Sequence, residues 1–210
     1  LQTSSNNDEP ASTTLPAIGS GGLKISNVVL SYHGQPMATQ ISIDDLVVGR
    51  LTTWEPDQST PISLRLRSGS GALSIKGGLR PLTAEPEATF TVSATGITAA
   101  DYQALADLAG LNAVSGRLQT NAEIHLRLPA GGPVIHLTTE ATFEDLQGSL
   151  DALTATIDGI HTTLTVDYVS ATNALRIDGD IDVTGASATI DGTQHVAVKA
   201  IHVGELSLTG

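Results

Sequence analysis

Cysteine is missing from this chain of 210 residues, which excludes disulfides, thiolate metal sites and a cysteine nucleophile together. The compartment stays open, because a disulfide-free chain suits cytosol and periplasm alike. Aromatic residues make up only 3%: Trp54, Phe90, Phe143, Tyr32, Tyr102 and Tyr168. With 40% hydrophobic residues overall, the chain is not wholly disordered, and its core must be aliphatic. Basic charge is scarce as well. Lys plus Arg number 10 against 22 Asp plus Glu, a net charge of −12, so the surface repels phosphate backbones and nucleic-acid binding is disfavoured. No apolar run approaches the roughly 18 to 20 residues of a membrane helix. The chain starts at Leu1 rather than Met and reads as a piece of a longer parent, whose signal or anchor would lie upstream.

What is present is period-two alternation, the mark of strands with one buried and one wet face. Residues 1–22, rich in Ser, Thr, Asn, Pro and Gly, read as a flexible linker. Residues 23–210 read as a single elongated β domain. The clearest strand sets Leu118, Thr120, Ala122, Ile124, Leu126 and Leu128 against Gln119, Asn121, Glu123, His125 and Arg127. Equivalent splits place Ile62, Leu64 and Leu66 on one face, then Ala88, Phe90, Val92 and Ala94, then Ile135, Leu137, Ala141 and Phe143, then Leu175, Ile177, Ile181 and Val183. Further strands are expected at 23–32, 39–48, 71–80, 147–157, 160–169, 187–191 and 195–209. Asp158-Gly159 and Asp191-Gly192 are expected to be tight hairpin turns, whereas Asp178-Gly179, with alternation running through it, suggests a bulge or bend inside a strand. Short connections imply an antiparallel meander.

One segment breaks the alternation. Over about 98–109, Thr98 is placed as an N-cap with Asp101 three positions on. Tyr102, Leu105, Leu108 and Ala109 share a face, and Gly110 stops the helix. Such a helix would cover an edge or end of the sheet. An apolar-x-apolar-x-Gly unit recurs at Leu73 to Gly77, Leu175 to Gly179 and Leu206 to Gly210, in keeping with a sheet built from similar hairpins.

Signatures of chemistry are weak. His33, His125, His136, His161, His195 and His202 form no short ligand pair, and His125 and His136 fall on polar strand faces, so they read as solvated rather than metal-bound. Asp178, Asp180 and Asp182 share a strand face without the loop geometry that calcium requires, and read as a solvated acidic face. No Gly-x-Ser-x-Gly elbow occurs, and Gly69-Ser70-Gly71 reads as a turn. Gly19-Ser20-Gly21-Gly22 lacks the Lys and the preceding strand of a phosphate loop. Spatial pairs of carboxylates for glycoside hydrolysis are invisible in a sequence, but the aromatic platforms that accompany them are scarce. Trp54, in a Pro- and Asp-containing loop, reads as a local packing anchor. Periodicity alone favours a closed β-sandwich, serving as a structural or adhesion module. A polysaccharide-binding domain ranks lower for want of rings.

The run Gly22-Leu23-Lys24-Ile25-Ser26-Asn27 through Tyr32, followed by Gln40-Ile41-Ser42-Ile43-Asp44-Asp45-Leu46 through Leu51, resembles the AsmA-like family of bacterial envelope proteins. The likeness continues through Pro61 to Leu64, the Leu73 to Leu79 unit, Pro86-Glu87-Ala88, Leu105 to Leu111 and Val114 to Leu118. It covers most of 22–128 and the remainder more loosely. His33-Gly34-Gln35-Pro36 carries no family signature, and the N-terminal membrane helix of full-length members is missing from this chain.

The resemblance implies an all-β fold with one short helix, an antiparallel meander curled into an open groove or half-barrel. It implies a noncatalytic periplasmic role in phospholipid transport between inner and outer membranes of a Gram-negative envelope, with inner-membrane anchoring through a segment outside this chain. The implied partners are phospholipid acyl chains, the rest of a longer parent and envelope proteins. No cofactor and no metal is implied. The lipid-facing candidates are then Leu64, Leu66, Phe90, Val92, Leu118, Ile124, Leu126, Leu128, Ile135, Leu137, Leu175, Ile177, Ile181 and Val183. Aliphatic side chains suit such a face, because they contain no polar atoms needing partners and each buried methylene contributes roughly 0.8 kcal/mol.

Overall fold

Alternating β-branched and polar residues favour the pleated, half-buried environment of a sheet, and the computed structural model, which describes residues 17–33, 38–108 and 110–209, is built almost wholly of strands. They are β1 (Gly19–Ser20), β2 (Leu23–His33), β3 (Ala38–Val48), β4 (Leu51–Thr52), β5 (Thr60–Ser68), β6 (Gly71–Arg80), β7 (Glu87–Thr98), β8 (Asn112–Arg127), β9 (Val134–Leu150), β10 (Leu153–Val169), β11 (Ala174–Ile190) and β12 (Gln194–Thr209). Strands β2, β3 and β5 through β12 form one 10-stranded antiparallel sheet in strict chain order, while β1 and β4 pair separately. The sheet is open: β2 and β12 do not meet. The closed sandwich favoured by periodicity alone is therefore not the architecture, since the described residues form one large sheet with no second large sheet to pack against it.

Register carries the apolar pattern across the sheet. Residues opposite one another in an antiparallel ladder project from the same face. One cross-strand row runs Leu23, Val48, Ile62, Gly77, Phe90, Ile124, Leu137, Val166, Ile177 and Leu208, one residue from each strand in turn. Every member except Gly77 is apolar. A Cβ at Gly77 would collide with the Thr89 carbonyl and lie 2.6 Å from the Phe90 ring, so the aromatic ring fills the gap that the glycine leaves. A second row runs Ile25, Leu46, Leu64, Ile75 and Val92 to Ala122, Thr139 and Leu164. The third, beginning Val28, Ile43, Leu66, Leu73 and Ala94, ends at Ile181 and Val203.

A strand longer than about ten residues must keep its apolar face from drifting, and here this is done by steps at which facing residues of neighbouring strands leave the ladder together without changing its register. The β9, β10 and β11 ladders step over Asp145, Asp158 and Gly185 together, passing from the row Leu146, Ile157, Ala186 to the row Phe143, Ile160, Val183. Asp145 and Gly185 take φ of 53° and 61°. The step shifts the parity of the apolar positions by one residue without turning them over. Asn27 (φ 56°) does the same in β2, where its ladder with β3 skips it and Asp44.

This corrects the expected turn at Asp158-Gly159, which lies inside β10. A parity switch in a sequence has the same look whether the chain reverses or steps within one strand. The reversal occurs at Asp151-Ala152 instead, with Asp151 at φ 51° and the Asp191 amide donating to the Ala152 carbonyl at 3.0 Å. The expected strands 135–143, 147–157 and 160–169 are thus two strands of 17 residues each, β9 and β10. Asp191-Gly192 is a turn with φ of 52° and 66°. Asp178-Gly179 lies within β11, beside a register shift between Gly179 and Ile181 against β12.

The N-terminal segment assigned to a linker divides. Residues 1–16 lie outside the described residues, but Gly19 and Ser20 pair with Thr52 and Leu51. Trp54 packs across Gly19, where a Cβ would come within 2.6 Å of the indole. The connection Gly34 to Pro36 and the terminal Gly210 are also outside the described residues.

If the joint step through Asp145, Asp158 and Gly185 is what keeps the faces in phase, its left-handed glycine should resist substitution. Gly185→Ala is expected to lose about 1–2 kcal/mol in urea unfolding at unchanged m value, because an L side chain is disfavoured at that φ. Gly148→Ala, with nothing within 4 Å of the added methyl, is expected to stay within about 0.5 kcal/mol.

Candidate functional site

Among the described residues the rows of apolar residues have nothing packed over them for most of their extent. Among the described residues Ala94 is the one buried hydrophobic side chain, at 4% exposure. Leu, Ile and Val elsewhere on the face are half-buried by their lateral neighbours or exposed. Val196, Val198, Ile201, Val203 and Leu208 of β12 are all exposed. Ten strands spaced about 4.8 Å, each about 35–55 Å long, give a face on the order of 2,000 Å². The largest apolar patch on an ordinary monomer is about 300–600 Å², so a face of this size is a surface made to be covered.

Its middle is shallow. Ala94, Thr120, Ala122, Thr139, Ala141 and Thr162 occupy the centre between β7 and β10. The Thr120 hydroxyl donates to the Glu140 carbonyl at 3.0 Å, and that of Thr139 to the Asn121 carbonyl at 3.2 Å. Both threonines therefore satisfy their hydroxyls against backbone and leave methyls for the face.

All the candidates Leu64, Leu66, Phe90, Val92, Leu118, Ile124, Leu126, Ile135, Leu137, Leu175, Ile177, Ile181 and Val183 fall in rows of this one face. Leu128 lies just beyond the end of β8, where its amide donates to the Pro86 carbonyl at 2.8 Å. Sequence reasoning passed over Ile160, Leu164 and Val166, whose even-numbered parity after Asp158 was assigned to a new strand instead of the continuation of β10.

Between β7 and β8 the chain makes a 3-10 turn (Ala99–Tyr102) and then α1 (Gln103–Leu108). This strap lies across the start of β8. Thr98 has the extended backbone of an N-cap, φ −104° and ψ 142°, but makes no side-chain cap hydrogen bond. Its hydroxyl donates instead to Asp101 Oδ2 at 2.8 Å, which also accepts from the Ser70 hydroxyl at 2.7 Å and the Ser70 amide at 3.1 Å. At the other end, Gln103 Oε1 accepts from the Val114 amide at 2.9 Å. The helix closes through the Leu111 amide to the Ala106 carbonyl (2.9 Å) and the Gly110 amide to the Asp107 carbonyl (3.0 Å), a Schellman ending. Leu108 is 70% exposed, and the side chain of Leu105 and the whole of Ala109 lie outside the described residues.

The 3-10 turn of the strap walls one side of a hollow of about 320 Å³ on the apolar face, lined by Ile97, Ala99, Tyr102, Leu118, Phe143 and Leu146 and also by Arg117. Arg117 is already engaged, its guanidinium 2.8 Å from Asp145 and 3.7 Å from Glu144. Phe143 and Leu146 both reach this hollow because the Asp145 step lies between them.

The opposite face carries the charge. Arg67 forms a forked pair with Asp44 (2.6 to 3.1 Å), and that hydrogen bond holds the Asp44 carboxyl below its ordinary range. Arg176 contacts Asp178, and His202 contacts Asp182, each at 2.5 Å. His125 and His136 face each other across β8 and β9, ring centroids 6.2 Å apart, and His136 Nδ1 lies 2.6 Å from Asp167. A second hollow, about 400 Å³, opens here among Thr91, Glu123, Thr138, Glu140, Thr163 and Thr165. Among the described residues no three His, Cys, Asp or Glu side chains are grouped so as to hold a metal ion, and no helix is long and apolar enough to cross a membrane.

Compared with protein-family models, with curated proteins and with solved structures, the chain matches none of them.

The Ser70 hydroxyl first, and the Thr98 hydroxyl after it, hold the Asp101 carboxyl below its ordinary value. A depressed carboxyl contributes stability above its unfolded value and loses it as pH falls through the folded value. Asp101→Asn is therefore expected to lower stability by about 1 kcal/mol at pH 6. The gap between the two proteins should close as pH drops below the ordinary carboxylate range. Urea unfolding from pH 6 to pH 2 measures it, and a gap that stays constant with pH would remove the carboxylate from the strap's anchoring.

Proposed function

We propose that this chain is a noncatalytic, lipid-conducting segment of an AsmA-like envelope protein, whose apolar face accommodates phospholipid acyl chains in transit between two membranes. The observation that supports this best is the apolar row crossing every strand of the large sheet with no second layer upon it. A face of aliphatic and small side chains offers dispersion contact and no hydrogen-bond donors, so it suits alkyl chains without selecting a head group. The scarcity of aromatic rings fits the same use, since flat anchors would hold a passenger at fixed places. The acidic opposite face, carrying Asp178, Asp180 and Asp182, is poorly suited to lying on an anionic bilayer. In this reading the segment works in the periplasm as part of a longer chain tethered at the inner membrane, and it uses no cofactor.

Photo-crosslinking residues placed at Leu126 and Ile177 are expected to capture phospholipid in cells. The same residues at Glu123 and Asp178, on the opposite face, are expected to capture little or none. Equal lipid capture from both faces, or none from either, would contradict the proposal.

A further inference from the structure

The hollow against the strap differs from the rest of the apolar face in having a wall raised from outside the sheet, Ala99 and Tyr102, and we infer that it is a discrete site for the terminal segment of a single alkyl chain. The inference rests on the reading of the face as a surface for acyl chains and adds a place where one chain end is held.

Three observations support it. The lining is mostly aliphatic and aromatic carbon from three strands and the strap, Ile97 of β7, Leu118 of β8, Phe143 and Leu146 of β9, and Tyr102, with Arg117 and Thr98 at its margin. The strap that forms this wall is fixed at both ends, through Asp101 to Ser70 and Thr98 and through Gln103 to the Val114 amide, so the hollow is formed before any ligand enters. The adjacent cation is already occupied, because Arg117 pairs with Asp145 and Glu144. That leaves no free positive charge for a carboxylate or phosphate, and the head of the ligand must stay outside.

Size then sets the length. At roughly 30 Å³ for each water-sized group, a hollow of about 320 Å³ takes about ten carbons. A chain of that length enters with its methyl end against the strap, in the row formed by Ile97, Leu118, Phe143, Ile160 and Val183. Its remainder emerges onto the open face.

The test uses the full chain and 1-alkanols from hexanol to tetradecanol, read by methyl NMR. Saturable, one-to-one shifts are expected on Ile97, Leu118 and Leu146. Affinity should rise about fourfold per methylene, as roughly 0.8 kcal/mol each implies, and then level off near decanol. Leu118→Trp is expected to weaken decanol binding at least tenfold. Phe143→Ala, which enlarges the hollow, should move the levelling-off to longer alcohols, so the idea stays testable should the tryptophan variant fail to fold. Shifts spread equally over Ile124, Leu137 and Val166, or affinity that climbs past tetradecanol with no plateau, would overturn the site. Phospholipid capture in cells is read separately, so loss of the transport reading leaves the alkanol result standing, and the reverse.

Discussion

The uninterrupted backbone ladder from β2 to β12 is the interaction on which the rest of this molecule depends. In most domains a sheet is held flat against a second layer, and burial of side chains between the layers supplies the greater part of the stability. Here one buried hydrophobic residue, Ala94, stands among the described residues. Cohesion must come from inter-strand hydrogen bonds and from side chains touching sideways along the rows. Cross-strand apolar pairs contribute roughly 0.2–1 kcal/mol each. Rows such as Leu23 through Leu208 therefore act as lateral seams as much as they act as a face.

Register follows from the same constraint. A slip by one residue would exchange the faces and expose Leu and Ile where Asp, Arg and His now stand. The joint step at Asp145, Asp158 and Gly185 lets β9, β10 and β11 reach 17 residues while the apolar stripe keeps its side. The charge arrangement reinforces the choice. Arg67 with Asp44 and Arg176 with Asp178 pair on the water-facing side. Exposed pairs of this kind add little stability, but a slipped register would drive them into an apolar surface. The strap between β7 and β8 is the exception to the single layer, and its 3-10 turn walls a hollow on the apolar face.

The meander and its two-faced strands were legible in the sequence, because period-two alternation is a local property that survives any tertiary arrangement. Leu118 through Leu126 and Gly71 through Arg80 are cases where residue pattern and strand coincide. The join of β9 and β10 was not legible. The Asp158-Gly159 dipeptide has turn chemistry and a parity switch on either side, and only the positions of Asp145 and Gly185 in the neighbouring strands show it to be a step inside one continuous strand. Whether one sheet or two would form was equally hidden, since an aliphatic stripe looks the same whether it meets another sheet or a ligand. The strap was foreseen as a helix over about 98–109, but its use of Asp101 as an anchor was not, because Ser70 is distant in sequence. The open edges of β2 and β12, unpaired among the described residues, are likewise a property of the whole sheet.

The central claim is that this apolar face is covered by alkyl chains and not by protein. The most direct measurement is a native mass spectrum of the full chain extracted from bacterial envelopes in mild detergent. The account predicts a chain carrying adducts of phospholipid mass that survive desolvation and are lost on organic extraction. A lipid-free dimer, with two sheets closed face to face, would contradict it.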